Sequence, residues 1–306
     1  MKKAFVCIHC LSWTRADRPC CGRCGHGLAR DIAGRFALEL GLGVSDDTAS
    51  FKAFDRAENT PAKVRVPRPG APTAARERLL AEAQACRENE GAFAPKLVAV
   101  GHLHAHRTLY SAYEWVDGAP LPKAARRLKP GAILDLSLIV LAATGGLHER
   151  GWVHCGLTPR HVIIRDTGEA VLIDLRCARP TGSPSHGLGY PGCRAPEQFV
   201  KTCPVEPATD VFALGVILYE LLTGRLPFGR PRSESDFRNT RVATPSVLRR
   251  ALDQAVDDVV MRALEFQARD RFQDATEFRD ALLRRMGGAT VVDAEALSPG
   301  PGGRRT

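Results

Sequence analysis

The sequence predicts an α+β protein in which a small cysteine-held module precedes a larger body of mixed strands and helices. Two observations point there. Five of the ten cysteines fall within the first 24 residues, four of them as two C-x-x-C pairs. From residue 34 to residue 286, strand-like and helix-like patterns alternate. Residues 287–306, closing on Pro-Gly-Pro-Gly-Gly-Arg-Arg-Thr, read as a flexible tail.

The first module spans residues 1–30. Cys7-Ile8-His9-Cys10 and Cys21-Gly22-Arg23-Cys24 are separated by ten residues. Zinc takes four tetrahedral thiolate or imidazole ligands, and each C-x-x-C turn offers two sulfurs to one ion. So short a segment cannot bury enough surface to fold alone, and metal binding would supply its folding energy. The expected ligands are Cys7, Cys10, Cys21 and Cys24. Cys20 is a spare thiol or a substitute for Cys21, and His9 and His26 are weaker alternatives. The pattern is similar to a zinc ribbon. The remaining cysteines, Cys86, Cys155, Cys177, Cys193 and Cys203, are scattered, unlike the framework of a small disulfide-bonded secreted chain.

Composition constrains the partners. Hydrophobic residues make up 44% and charged residues 25% of the 306, an ordinary balance for a soluble domain. The most apolar runs, Ala132–Leu147 and Val211–Leu222, contain Asp135 and Glu220, and the N-terminus lacks a signal-peptide core. A cytoplasmic protein with no membrane partner is expected. The net charge of +9 suits an acidic partner. The arginines are spread out, however, without a basic block interleaved with aromatics, so nucleic acid is a weak expectation.

The larger body carries an ordered series of motifs. Ala62-Lys63-Val64 lies in a β-like run, and Glu82 lies in the helical stretch that Leu79 opens. Tyr113–Gly118 follows as a connecting segment. Next come His154-Cys155-Gly156-Leu157-Thr158-Pro159-Arg160-His161, Val171-Leu172-Ile173-Asp174, Ala195-Pro196-Glu197, a helix from Asp210, and Arg269-Asp270-Arg271-Phe272. In this order the series resembles the protein kinase superfamily, specifically the Ser/Thr type. The resemblance implies two lobes: a β-rich N-lobe over about 34–117 and a helical C-lobe over about 118–286. It places Lys63, Glu82 and Asp174 as the residues that hold nucleotide phosphates and one magnesium, so ATP, with or without Mg²⁺, is the implied cofactor beside Zn²⁺. It also pairs Glu197 with Arg271.

The residues that perform phosphoryl transfer are missing. Gly156 stands at the catalytic aspartate, Thr158 at the phosphate-contacting lysine and His161 at the second metal-binding asparagine. Glycine has no side chain to accept a proton, and no carboxylate lies between His154 and Arg165. The phosphate-covering loop is degraded as well: Gly43-Val44-Ser45-Asp46-Asp47-Thr48 keeps one of three glycines, and Asp46 and Asp47 would repel a triphosphate. Gly41-Leu42-Gly43 is another placement of that loop. Cys155 replaces an arginine that would receive an activation-segment phosphate, and Arg176 replaces the glycine after the metal-binding Asp174 motif.

Three functions compete. The main expectation is a pseudokinase scaffold or allosteric regulator whose partner is an active kinase, a phosphatase or another signalling protein. The alternatives are an active Ser/Thr kinase or other ATP-using transferase of altered chemistry, and a zinc-ribbon adaptor that tethers nucleic acid or a complex. His102, His104 and His106 alternate as a candidate imidazole site and are expected instead in a solvated loop.

Overall fold

The structure, a computed structural model, describes residues 4–45, 47–91, 93–185 and 187–287. Asp46 and the expected tail beyond Gly287 lie outside the described residues. The chain divides after Val116 into two units.

In the first unit β1 (Ala4–Val6) and β2 (Trp13–Arg15) form a short antiparallel hairpin. There follow β3 (Asp31–Ile32), β4 (Phe36–Ser45), β5 (Thr48–Asp55), β6 (Thr60–Pro67), α1 (Thr73–Glu88), β7 (Leu97–Leu103) and β8 (Thr108–Glu114). The six strands from β3 onward make one antiparallel sheet in the order β3-β4-β5-β6-β8-β7. Between β5 and β6 the register runs without a slip, setting Ala49 opposite Val66, Phe51 opposite Val64 and Ala53 opposite Ala62. These six side chains are buried on one face, so the alternating positions Ser50, Lys52, Lys63 and Arg65 occupy the other.

The face bearing Phe51 packs against the cysteine module. Phe5 sits 5.3 Å from the Phe51 ring, and Phe5, Val6, Cys7 and Ile8 join the sheet residues in a single apolar cluster. The described part of the module, residues 4–30, thus packs as a second layer on the sheet. α1 packs on β6, β7 and β8. Its buried residues Ala75, Leu79, Glu82, Ala83 and Cys86 fall on one helical stripe, which carries the Glu82 carboxylate into the protein.

The second unit contains β9 (Ala119–Pro120), α2 (Leu121–Ala124), α3 (Pro130–Glu149), β10 (Trp152–Val153), β11 (Val162–Ile164), β12 (Ala170–Leu172), β13 (Arg179–Pro180), α4 (Pro207–Thr223), α5 (Glu234–Arg238), α6 (Pro245–Leu248), α7 (Gln254–Ala263) and α8 (Ala275–Arg285). Short ladders β12-β11-β9 and β10-β13 frame the loops between them. α4 is the central helix. It starts with proline in its first turn, stops at Gly224 with φ +72°, and buries most of its length. α3 is 20 residues long and apolar enough for a bilayer crossing by length and composition, contrary to the sequence expectation, but it packs against α4 and α8 and is mostly buried.

Candidate functional site

In the cysteine module both C-x-x-C turns close in the same way. Leu11 N–H donates to the Cys7 carbonyl at 2.9 Å and Gly25 N–H to the Cys21 carbonyl at 3.0 Å. The residue after each pair is left-handed, Leu11 at φ +56° and Gly25 at φ +75°, and glycine suits the second position. The Cys7 and Cys24 sulfurs lie 3.7 Å apart and the Cys10 and Cys21 sulfurs 3.6 Å, with all four within 4.8 Å of one another. Four sulfurs at about 2.3 Å from one tetrahedral zinc would stand about 3.8 Å apart, so the donor set fits that ion. Although burial opposes it, hydrogen bonds from Ser12 bring the Cys10 thiol down to about 6, while burial pushes Cys7 up to about 12. Cys20 is exposed, and His9 and His26 stack on each other at 4.2 Å. His104 and His106 form a one-turn helix after β7, and among the described residues only the four cysteines converge as a metal-binding group of three or more.

On the other face of the first unit, Glu82 is paired by Arg65, not by Lys63. The Arg65 guanidinium donates to Glu82 Oε2 at 2.5 Å and to Ser50 Oγ at 3.2 Å, and both charged side chains are almost wholly buried. Lys63 and Arg65 share a strand face, but two residues along a strand is about 6.6 Å, and α1 sets Glu82 beside the later one. Asp47 is also engaged, accepting from Arg68 Nε at 2.7 Å, so the expected repulsion at this residue is offset.

In the second unit the segment around Gly156 is held by Asp210 of α4. Its carboxylate accepts from the backbone N–H groups of His154 at 2.6 Å and Cys155 at 2.9 Å, with His148 Nε2 3.2 Å away. His154 takes a hydrogen bond on Nδ1 from Gly156 N–H, which leaves Nε2–H to donate to the Ile173 carbonyl. Cys155 points into an apolar cluster with Val153 and Val205, with Cys177 and Leu188 packed against it.

The polar centre is closed. Arg176 grips Asp174 with two hydrogen bonds, Nε to Oδ1 at 2.6 Å and a terminal nitrogen to Oδ2 at 3.0 Å. The same guanidinium donates to the Tyr190 hydroxyl, which in turn donates to Asp174 Oδ2 at 3.3 Å. His161 donates from Nδ1 to the Gly156 carbonyl at 2.7 Å and sets its ring edge-on to Tyr190, with Nε2 3.3 Å from Asp174 Oδ2. Burial lowers His161 to about 4, so it is neutral at pH 7 and Arg176 balances the charge of Asp174. A Cβ on Gly156 would stand 3.1 Å from Cys177 Cβ and 3.2 Å from Tyr190 Cε2. Tyr190 and Cys177 fill the place where a longer side chain would project.

The protein kinase domain family matches residues 41–283. The chain belongs to the protein kinase family. Among curated relatives it is 31% identical over 205 residues to the serine/threonine-protein kinase Pkn1 of Myxococcus xanthus, covering 62% of this chain and 29% of that protein. It is likewise 31% identical over 195 residues to PksC of Streptomyces coelicolor, covering 58% of this chain and 35% of the relative. The matched region thus spans about a third of these relatives. The Mycobacterium tuberculosis PknI kinase domain superposes with a TM-score of 0.65 at 23% identity, covering 85% of this chain and all of that one, which shows a kinase fold.

Kinase signatures account for what sequence reasoning missed. Ala62-Lys63-Val64-Arg65 follows the V-A-I-K strand motif in order, with Arg65 in the lysine's place, and that register was the available signal. Glu197 and Arg271 form the expected pair: two 2.9 Å hydrogen bonds join them, and Arg271, fully buried, also donates to the carbonyls of Ala208, Glu265 and Phe266. Tyr190 was missed as a site residue because fourteen to sixteen residues separate it from Arg176 and Asp174.

Proposed function

We propose that this kinase-family chain is a pseudokinase that regulates or scaffolds a protein partner, with one zinc ion held by Cys7, Cys10, Cys21 and Cys24. The observation that carries this reading is the closed centre around Gly156. A kinase needs a base within reach of the substrate hydroxyl and a carboxylate free for magnesium. Here no side chain stands at the first position, and the second is gripped by Arg176 and Tyr190. Arg65 adds to it, because its guanidinium is committed to Glu82 and Ser50 and an arginine at a lysine site is not a conservative exchange. Arg271, Glu197 and Asp210 meanwhile retain the frame that a docking protein needs.

Nucleotide binding with and without magnesium tests the reading. Because Arg176 already neutralises Asp174, any ATP affinity should change less than about twofold on adding magnesium. A tenfold or larger gain with magnesium would mean that Asp174 leaves Arg176 to take the metal. An active transferase is the second reading, supported by relatives named as serine/threonine kinases.

A further inference from the structure

We propose that the metal in the cysteine module fixes the β4–β5 hairpin, so that residues 1–30 act as a metal-dependent clamp on the segment that stands where kinases cover phosphates. The proposal rests on the zinc reading and extends it to regulation.

β4 is the weakly held strand of the hairpin, because β5 is laddered to β6 along its length. β3 pairs only with Phe36 and Ala37 at the start of β4. From Leu40 to Ser45 the β4 ladder runs to β5, and its register slips between Leu38 and Leu40 and again between Gly41 and Gly43. An edge strand with two irregularities needs a layer packed against its face. The cysteine module is that layer. A Cβ on Gly41 would lie 2.8 Å from Val6 Cγ2 and 3.1 Å from Trp13 Cζ3, so the glycine is there for close approach. Gly41 pairs with Phe51, the residue under Phe5, so both strands of the hairpin touch the module at one level.

The module in turn depends on its metal. β1 and β2 are three residues each, and so small a hairpin is not stable without a further constraint. Cys7 directly follows Val6, while Cys10 precedes Trp13 by three residues, so the first C-x-x-C turn holds both contacts to Gly41. Loss of the ion therefore removes the support of β4 first. The opposite face, with Arg65 and Glu82, is held by α1 and does not share this support.

Hydrogen exchange on the full chain tests the clamp, with zinc content measured first. On stripping zinc with a chelator, amides in residues 38–54 should exchange about tenfold faster or more, while those in residues 207–223 stay unchanged. Gly41→Val should keep its zinc yet show the fast hairpin, with no further response to chelator. Trp13→Ala, which removes side-chain contact without overpacking, should move exchange the same way. The clamp is wrong if zinc leaves and residues 38–54 do not respond, or if residues 207–223 accelerate equally. Protein carrying less than about half an equivalent of zinc would instead overturn the metal reading itself, and the clamp with it.

Discussion

Replacing Gly156 with aspartate returns the carboxylate that phosphoryl transfer requires, and the structure gives reasons to expect harm instead of activity. The new Cβ alone would meet Cys177 Cβ at 3.1 Å and Tyr190 Cε2 at 3.2 Å, inside ordinary contact distance, before any carboxylate is placed. Overpacking of this kind costs about 1–3 kcal/mol. For a unit of this size that lowers the melting temperature by about 2–12 °C. Tyr190→Ala should open the space, at the cost of its hydroxyl bridge between Arg176 and Asp174. In a double-mutant cycle, Gly156→Asp with Tyr190→Ala should thus be less destabilised than the sum of the single changes by about 0.5–3 kcal/mol. Urea and thermal melts of the four proteins measure the coupling, and phosphate transfer is followed alongside. Strict additivity, or a Gly156→Asp protein as stable as the parent, would refute the packing argument. Transfer activity in Gly156→Asp alone would refute the chemical one, because Thr158, His161 and Arg176 would still deny the phosphate and metal contacts.

Two further outcomes are expected. Arg271→Ala leaves Glu197 with little solvent and three carbonyls without their donor, and should destabilise the protein by about 3–5 kcal/mol in urea melts; an unchanged midpoint would contradict the buried pair. His161 titrates near 4 when folded, against 6.5 as its ordinary value. The unfolded chain therefore binds the proton first as pH falls, and stability should decline from about pH 6.5 down to about pH 4. His161→Gln should lose less stability between pH 7 and pH 5 than the parent; an equal loss would place the titrating group elsewhere.

The parts legible in the sequence are those whose chemistry is carried by residue type at fixed spacing. Two C-x-x-C pairs gave a four-sulfur cluster. Glu197 and Arg271 could be assigned because each role requires its own charge and lies in an ordered series. Gly156 was legible because a missing side chain needs no geometry to interpret. The errors arose where position along an element decides the partner. Lys63 and Arg65 look alike on one strand face; the V-A-I-K register points to Arg65, and the placement of α1 seats Glu82 beside it. Gly41 reads as part of a phosphate loop, while its neighbours in space are Val6 and Trp13. Arg176 was read only as the replacement of a glycine, while its grip on Asp174 is direct and the Tyr190 hydroxyl that joins them comes from fourteen residues later, so that part depends on how the chain returns. The module at residues 1–30 looked separate because its own spacing explains its metal, and nothing in that spacing reveals the apolar layer it forms on the sheet.

The central claim, that this kinase-family chain does not transfer phosphate, is tested most directly with labelled ATP. Purified zinc-loaded protein and its Asp174→Ala variant are incubated with peptide and protein acceptors, in magnesium and in manganese. The expected result is no label above background in either protein, since base, metal carboxylate and phosphate contacts are each absent or engaged. Transfer of phosphate, or of another part of ATP, by the parent and not by Asp174→Ala would contradict the account and establish the altered-chemistry transferase in its place.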